Sequence, residues 1–142
     1  MNVNLEKAKE IFAQDDYTCV LAKDGEVYNS KERGVKPLLT WVLEPRKFTG
    51  FSAVDKVVGK AAAFLYVHLD VAQVYAKVIS KPALAVLQSH NIEVCYDVLT
   101  DAIINRAGTG FCPMETAVMD IADKNDALTA IQKKVKELNS KS

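Results

Sequence analysis

The chain has 142 residues, the size of one domain, and a chain of this length buries an ordinary core without metal or disulfide staples. Eighteen basic residues balance eighteen acidic ones, which excludes the broad electrostatic attraction needed for general nucleic-acid binding. No apolar run approaches the roughly 20 residues of a membrane span, and the first ten residues lack a signal-peptide pattern. We therefore expect a single domain over residues 1–142, cytoplasmic and not attached to a membrane.

The cysteines and histidines are too few and too scattered for a structural framework. Cys19, Cys95 and Cys112 are an odd number and form no CxxC pair, so neither a disulfide framework nor a four-cysteine zinc site is expected. His68 and His90 complete the histidine inventory, and both fit structural roles. The sequence predicts no metal and no cofactor.

The N-terminal part predicts a helix followed by a hairpin. Residues 4–14 have apolar side chains at helical spacing. Two extended runs, 17–23 and 26–30, flank the pair Asp24-Gly25, which is the strongest short-range pattern for a two-residue hairpin turn. A helix and then a β-hairpin are therefore predicted.

The middle of the chain predicts two helices. The short apolar stretch 35–43 has Pro37 in its first turn, where the missing N–H costs nothing. Further on, Ser52-Ala-Val-Asp55 matches a capping box with Asp in place of Glu and predicts a long helix to about Leu69. That helix is apolar almost all round, so we expect it to be central and packed against a sheet.

The following segment predicts a strand–helix–strand unit. Residues 71–79 predict a strand that is apolar enough to lie inside a sheet, and residues 92–96 predict another strand. Ser80 caps a helix between them that runs through about His90. Such an order implies a parallel pair joined by a crossover. A short extended piece is expected near Ile103-Ile104.

The C-terminal part predicts a loop and two helices. Residues 105–110 form the loop, Cys112-Pro113 opens a helix to about Ile121, and Asp123 caps a final amphipathic helix. The expected fold class is α/β, a three-layer α/β/α domain with a mixed sheet that begins with the hairpin and is covered on both faces.

Three stretches resemble a known family. They are Lys31-Glu-Arg-Gly-Val-Lys-Pro-Leu-Leu39, Asp55-Lys-Val-Val-Gly-Lys-Ala-Ala-Ala-Phe-Leu65 and Gly108-Thr-Gly-Phe-Cys-Pro-Met-Glu-Thr-Ala117. Together with the order of elements, they resemble a family of short uncharacterised bacterial and archaeal proteins in the cytidine deaminase-like superfamily. The resemblance covers about residues 4–132. It implies a cytidine deaminase-like mixed sheet and brings no established activity.

The zinc ligands of true deaminases are missing from the matching positions. Those enzymes take one ligand and a Glu from an H-x-E motif and two cysteines from P-C-x-x-C. Here the matching stretches are Ser52-Ala-Val-Asp-Lys56 and Pro82-Ala-Leu-Ala-Val86. Without ligands no bound metal activates a water, so zinc-dependent deamination by the usual route is excluded and a metal-free pocket is expected.

Cys112 is the best single candidate for catalysis. It follows a Gly-x-Gly loop at a predicted helix start, where the partial positive charge favours a thiolate. Glu115, one turn on, could serve as its base, as a cap, or as an anion-repelling neighbour. The alternative is that Cys112 is a small buried residue and Glu115 a capping carboxylate.

The loop before Cys112 is a candidate anion site. Glycines let backbone N–H groups turn towards a ligand, and an arginine offers a bidentate fork for phosphate or carboxylate. The candidate ligand-binding residues are Asn105, Arg106, Gly108, Thr109 and Gly110. The alternative is an ordinary connection whose glycines satisfy positive φ.

Three charged residues on the predicted central helix complete the candidate site. Lys56 and Lys60 are four apart and would share a helix face. The resemblance implies that the start of this helix lines the pocket, and that Asp55 and Lys56 do so here. The alternative is a cap at Asp55 and two lysines that reach solvent.

Three functions remain open. The chain could be an enzyme, or the relict of one, that acts on a nucleotide-like or other anionic small molecule with Cys112 as nucleophile. It could be a non-catalytic module that binds such a ligand in the same pocket. It could also be an interaction protein, such as a homo-oligomer, whose pocket is filled. The first two predict saturable stabilisation by a ligand, and the third predicts none.

Overall fold

A computed structural model describes residues 3–32, 35–44, 47–103 and 112–140. Six helices and five strands are assigned within these ranges. In chain order they are α1 (Val3–Phe12), β1 (Cys19–Lys23), β2 (Glu26–Ser30), α2 (Lys36–Leu43), β3 (Ser52–Val58), α3 (Lys60–Leu69), β4 (Gln73–Ser80), α4 (Lys81–Ser89), β5 (Glu93–Thr100), α5 (Pro113–Val118) and α6 (Lys124–Ser140).

The five strands form one mixed sheet in the order β2-β1-β3-β4-β5. The predicted hairpin is confirmed, since β1 and β2 pair antiparallel from Cys19↔Ser30 to Lys23↔Glu26. Its turn is made by Asp24 and Gly25 with φ of 49° and 89°, the left-handed backbone that a two-residue hairpin turn requires.

The centre of the sheet corrects the sequence prediction. Residues Ser52–Val58 form a buried strand, antiparallel to β1 and parallel to β4, and not the first two turns of a helix. The helix begins only after Gly59 and runs over ten residues. The Ser52-to-Asp55 spacing imitates a capping box, but β-branched valines at 54, 57 and 58 favour a strand, and pairing on both sides fixes it.

The parallel half follows the prediction. The β4 and β5 strands pair parallel, with α4 between them in the chain. Ser80 caps α4 by accepting a hydrogen bond from the Ala83 backbone N–H at 3.2 Å. β5 is longer than predicted and extends to Thr100, and Ile103 lies outside any strand. Ile104 lies outside the described residues.

The remaining helix starts are also confirmed. Pro37 lies in the first turn of α2, and Asp123 Oδ2 accepts the Asn125 and Asp126 backbone N–H groups at the start of α6. The predicted helix after Cys112 is present as α5, although it ends at Val118 rather than near Ile121.

Helices lie on both faces of the sheet, giving the predicted α/β/α layering. On one face, Leu5 and Ala8 of α1 pack on Val20, Ala22 and Val54. The other face carries the larger core, which includes buried residues of α2, α3, α4, α5 and α6. Coverage is incomplete at the β5 edge, where Tyr96 and Val98 are exposed.

Two further features of the described residues concern aromatic packing and membrane insertion. An aromatic cluster joins α2 to the hairpin, with Phe48 in edge contact with Tyr28 and Trp41 at centroid distances of 4.9 and 5.4 Å. In the described ranges, no helix has the length and apolar character required to cross a membrane.

Candidate functional site

A cavity of about 360 Å³ opens where β3 ends, beside the start of β1 and between α2, α3 and α5. Its wall is mainly apolar, with a few polar groups near the end of β3. The described residues that line it are Thr18, Cys19, Val35, Pro37, Leu38, Asp55, Lys56, Val57, Gly59, Ala61, Ala62, Ile103, Cys112, Met114 and Glu115.

A buried hydrogen-bonded chain forms one side of this cavity. Antiparallel pairing sets Cys19 opposite Asp55, so the two side chains lie next to each other on the inner face. The Tyr66 hydroxyl donates to Asp55 Oδ2 at 2.6 Å and lies 3.2 Å from the Cys19 Sγ. Because the hydroxyl proton is directed to the carboxylate, the thiol is the donor to the Tyr66 oxygen. The hydrogen bonds therefore run from the Cys19 thiol through the Tyr66 hydroxyl to the Asp55 carboxylate.

Burial has the largest effect on the pKa values of these three side chains. Loss of solvation raises the pKa of Asp55 to about 7, against the lowering effect of the Tyr66 hydroxyl and the Val57 backbone N–H. Burial likewise raises the pKa of the Cys19 thiol and of the Tyr66 hydroxyl well above their ordinary values. Near neutral pH Cys19 and Tyr66 therefore hold their protons, and Asp55 is divided between its two forms.

The opposite side of the cavity is held by two reciprocal contacts between α3 and α5, which we call the α3–α5 clamp. The Glu115 carboxylate accepts the Lys60 and Ala61 backbone N–H groups at 2.8 and 3.1 Å. In return, Lys60 Nζ donates to the Met119 carbonyl at the end of α5, at 3.0 Å. A negative charge thus caps the start of α3, and a positive charge caps the end of α5.

Gly59 is required by the same contact. A Cβ built on Gly59 would stand 2.5 Å from the carboxyl carbon and both oxygens of Glu115. The φ and ψ of Gly59, −96° and 179°, are open to any residue, so space and not backbone conformation selects glycine here. Glu115 is a cap, as the sequence allowed, but the helix it caps is α3.

Cys112 lies half-buried at the start of α5 and lines the cavity. Its backbone N–H donates to the Ile103 carbonyl at 3.0 Å, and its carbonyl accepts from the Thr116 backbone N–H. These bonds fix the backbone at the thiol. A nucleophilic role for Cys112 stays a prediction.

The structure brings together four of the predicted site residues. Asp55, Lys56, Cys112 and Glu115 all line the cavity. Lys60 does not share a helix face with Lys56, contrary to the prediction, because Lys56 belongs to a strand and Lys60 opens a helix. The predicted anion-binding residues Asn105, Arg106, Gly108, Thr109 and Gly110 lie outside the described residues, and their role stays a prediction.

Sequence reasoning missed Tyr66, Cys19 and Gly59. Tyr66 and Cys19 meet Asp55 only through the fold, since they are 11 and 36 positions from it. Gly59 carried a local indication, because a glycine between a β-branched run and an alanine-rich run is typical of an element boundary.

The remaining feature is the placement of possible metal ligands and of the two histidines. Within the described residues, no group of three or more His, Cys, Asp or Glu side chains is placed to hold a metal ion. His68 Nε2 lies 2.8 Å from the Lys124 carbonyl, and His90 Nδ1 lies 2.9 Å from the Val86 carbonyl. Both histidines thus have structural partners, as expected.

These features define a class: a three-layer α/β/α domain with a mainly apolar cavity beside the carboxyl end of its central strand. Residues 7–135 match the family model described as TM1506, domain of unknown function (DUF1893), so the chain belongs to the DUF1893 family. The match confirms the resemblance to a family of unknown function. Placement in the cytidine deaminase-like superfamily stays a prediction.

A solved structure supports the same assignment. The crystal structure of a DUF1893 family protein (TM1506) from Thermotoga maritima is similar to this chain with a TM-score of 0.87 and 28% sequence identity. The similarity covers 94% of this chain and 92% of that one. No curated protein matches the chain.

Proposed function

We propose that this protein binds a small molecule in the cavity beside β3, with the Asp55 carboxyl as the polar group that orients it. The supporting observation is the position of that carboxyl, 8% exposed, in the wall of a mainly apolar space of about 360 Å³. Its hydrogen-bond partners are a hydroxyl and a backbone amide rather than a cation. Small-molecule sites are commonly apolar concavities of roughly 300–1,000 Å³ with a few oriented polar groups.

The charges around the cavity limit what reaches its inner end. Asp55 and Glu115 are both carboxyls, and Lys56 is the one cation among the described lining residues. A phosphate or carboxylate next to Asp55 would be repelled when that group is ionised. The end of the ligand that meets Asp55 is therefore a neutral or hydrogen-bond-donating group, such as the base of a nucleotide-like molecule. The sequence predicts that Arg106, Gly108 and Gly110 bind an anion, and this role stays a prediction.

Binding is favoured over catalysis because Glu115 is already in use. Its two carboxylate oxygens both accept backbone N–H groups of α3, so the carboxylate is already held in a capping role at the start of that helix. Catalysis through Cys112 is the second candidate, favoured by its position in the cavity wall. Its alkylation rate against pH separates the two, since a nucleophile reacts at a midpoint clearly below about 8.5.

Thermal shift with a filled-cavity variant tests the proposal. Wild type is titrated with adenine, cytosine and their nucleosides and nucleotides, alongside Ala62→Leu, which puts a larger side chain into the cavity wall. Ala130→Leu is the matched control, because Ala130 lies on α6 away from the cavity. Ligand at 100 times its Kd adds about 2.7 kcal/mol to the free energy of unfolding, a rise of several degrees.

The expected result is a saturable rise in wild type and Ala130→Leu that Ala62→Leu loses. An equal rise in Ala62→Leu would place binding elsewhere and reject this cavity. No rise with any compound would favour the interaction protein, for which no stabilisation by a ligand is predicted. Its homo-oligomeric state would then be measured by sedimentation.

A further inference from the structure

Asp55 retains acceptor capacity on the cavity side of the sheet. An ionised carboxylate offers about four lone-pair positions. Oδ2 accepts the Tyr66 hydroxyl at 2.6 Å, and Oδ1 has a long contact of 3.3 Å from the Val57 backbone N–H. A further weak interaction comes from the Lys56 backbone N–H. Asp55 is thus held in place by donors and can accept from a molecule in the cavity it lines.

The groups that face Asp55 do not neutralise it. Cys19 and Tyr66 are weak acids, Glu115 is a second carboxylate, and Cys112 adds a thiol to the wall. Lys56 is exposed. The remaining neighbours are apolar: Val35, Pro37 and Leu38 at the start of α2, and Ala76 of β4. A ligand that carries a positive charge against Asp55 would supply the missing partner.

The carboxyl also has a proton to give. Burial raises the pKa of Asp55 to about 7, so a substantial fraction of this carboxyl is protonated at neutral pH when the cavity is empty. The Tyr66 hydroxyl and the Val57 backbone N–H bond to the ionised form and stabilise it once the proton has left. Proton transfer to a ligand nitrogen then creates an ion pair in surroundings of low dielectric, where hydrogen bonds to charges are strongest.

We propose that the cavity takes a flat, weakly basic nitrogen heterocycle with an amino group beside the ring nitrogen, and that Asp55 transfers its proton to that nitrogen on binding. The inference rests on the proposed binding function and names its ligand class. In the step, the carboxyl O–H bond breaks and its electron pair stays on oxygen, while the nitrogen lone pair forms the new N–H bond. The ring N–H and the amino N–H then both donate to the carboxylate.

The pH dependence of binding follows from this shared proton. Below the pKa of both Asp55 and the free ligand, each carries a proton and one must be released on binding. Above both values neither carries one, and a proton must be taken up. Affinity is therefore greatest between the two pKa values and falls roughly tenfold per pH unit on each side.

The test compares 2-aminopyridine with aniline, which has the same shape and amino group and a C–H in place of the ring nitrogen. Binding is followed by NMR titration at pH values from 5 to 9 (roughly two units either side of neutrality). We expect 2-aminopyridine to bind wild type roughly tenfold more tightly than aniline near neutral pH. Asp55→Asn has no proton to transfer, so it should prefer neutral 2-aminopyridine, and its affinity should level off at high pH without passing through an optimum.

Tyr66→Phe provides a second readout if Asp55→Asn folds poorly. This variant keeps the carboxyl and removes the hydroxyl that stabilises its ionised form, so the pKa of Asp55 rises further and the affinity optimum moves to higher pH. Equal affinity of the two compounds for wild type, or an optimum that Tyr66→Phe leaves in place, would overturn the proton transfer but leave the binding cavity standing. Failure of both compounds to bind would also overturn the proton transfer. The nucleobase titrations of wild type and Ala62→Leu then test separately whether the cavity binds a ligand.

Discussion

Gly59 leaves the space that the Glu115 carboxylate needs at the first turn of α3, so Gly59→Ala tests the α3–α5 clamp directly. The added Cβ would lie 2.5 Å from the carboxylate, which is the far end of a flexible side chain. The side chain can swing away, and the cost is then the loss of its two hydrogen bonds to Lys60 and Ala61 rather than a fixed clash.

The magnitude follows from the value of a helix cap. Loss of an N-terminal cap costs about 0.5–2 kcal/mol, and a negative charge at a helix start contributes about 0.3–1 kcal/mol more. Gly→Ala recovers about 0.4–1 kcal/mol by restricting the unfolded chain, since the backbone at 59 suits any residue. We expect Gly59→Ala to lower the free energy of unfolding by about 1–2 kcal/mol, or Tm by roughly 4–8 °C.

A double-mutant cycle isolates the contact. Glu115→Ala removes the same two hydrogen bonds and should cost about 1–2 kcal/mol. In the Glu115→Ala background the three atoms nearest to the new Cβ are gone, so Gly59→Ala should then have almost no cost or a small gain from restricting the unfolded chain. Glu115→Gln, which keeps one oxygen acceptor without the charge, should fall between wild type and Glu115→Ala.

Urea denaturation of the four proteins of the cycle, followed by circular dichroism, provides the measurement. The clamp requires that the double variant is about as stable as either single variant. Additive costs, with the double variant losing the sum of both, would mean that Gly59 and Glu115 act independently. The argument from space at Gly59 would then be wrong.

Three further predictions concern other parts of the chain. Because the folded pKa of Asp55 lies above its unfolded value, the folded state binds more protons between about pH 4 and 7, and wild type should lose on the order of 4 kcal/mol of stability relative to Asp55→Asn as pH rises through that window, measured by urea denaturation. A stability difference between the two that does not change with pH would contradict this. Iodoacetamide should label exposed Cys95 first, half-buried Cys112 more slowly and buried Cys19 only on unfolding, as peptide mass spectrometry would show, and a cavity ligand should protect Cys112 alone. Ser80→Ala should cost about 1 kcal/mol in chemical denaturation, since Ser80 caps α4, whereas Ser89→Ala near the other end of α4 is expected to cost less.

Local chemistry made much of the fold predictable. The hairpin followed from Asp24-Gly25 because a turn with two positive φ angles accepts few residue pairs. The starts of α4 and α6 followed from Ser80 and Asp123, whose side chains bond the first backbone N–H groups of the helices. In each case the determining contact lies within a few residues of the pattern that reveals it.

β3 was not predictable in the same way, because its identity comes from its partners. Ser52 and Asp55 stand at the spacing of a capping box, and the alanines after Gly59 extend an apparently continuous apolar helix. Pairing with β1 on one side and β4 on the other makes this segment a strand, and the residues of the segment do not reveal either pairing.

The candidate site was predictable in composition but only partly in geometry. Asp55, Cys112 and Glu115 line one cavity, and the roles predicted for them there stay predictions. The error in β3 hid the relation between Asp55 and Tyr66, since a single helix would have left them about three turns apart. It also hid the cap that Glu115 provides, because the capping box predicts a helix start at Ser52, seven residues before the observed N-cap Gly59.

The two sides of the cavity use their carboxyls in opposite ways, and this contrast favours Asp55 as the group that meets a ligand. Glu115 is half-buried, and each of its two oxygens accepts a backbone N–H group from the first turn of α3. Asp55 is more deeply buried, has a raised pKa, and keeps acceptor positions that its protein donors leave unfilled. A carboxyl retained for stability would gain from the arrangement at Glu115, where the carboxylate caps the start of a helix. Burial of Asp55 in its ionised form without a cation is destabilising, and a partner that enters the cavity beside it would offset that cost.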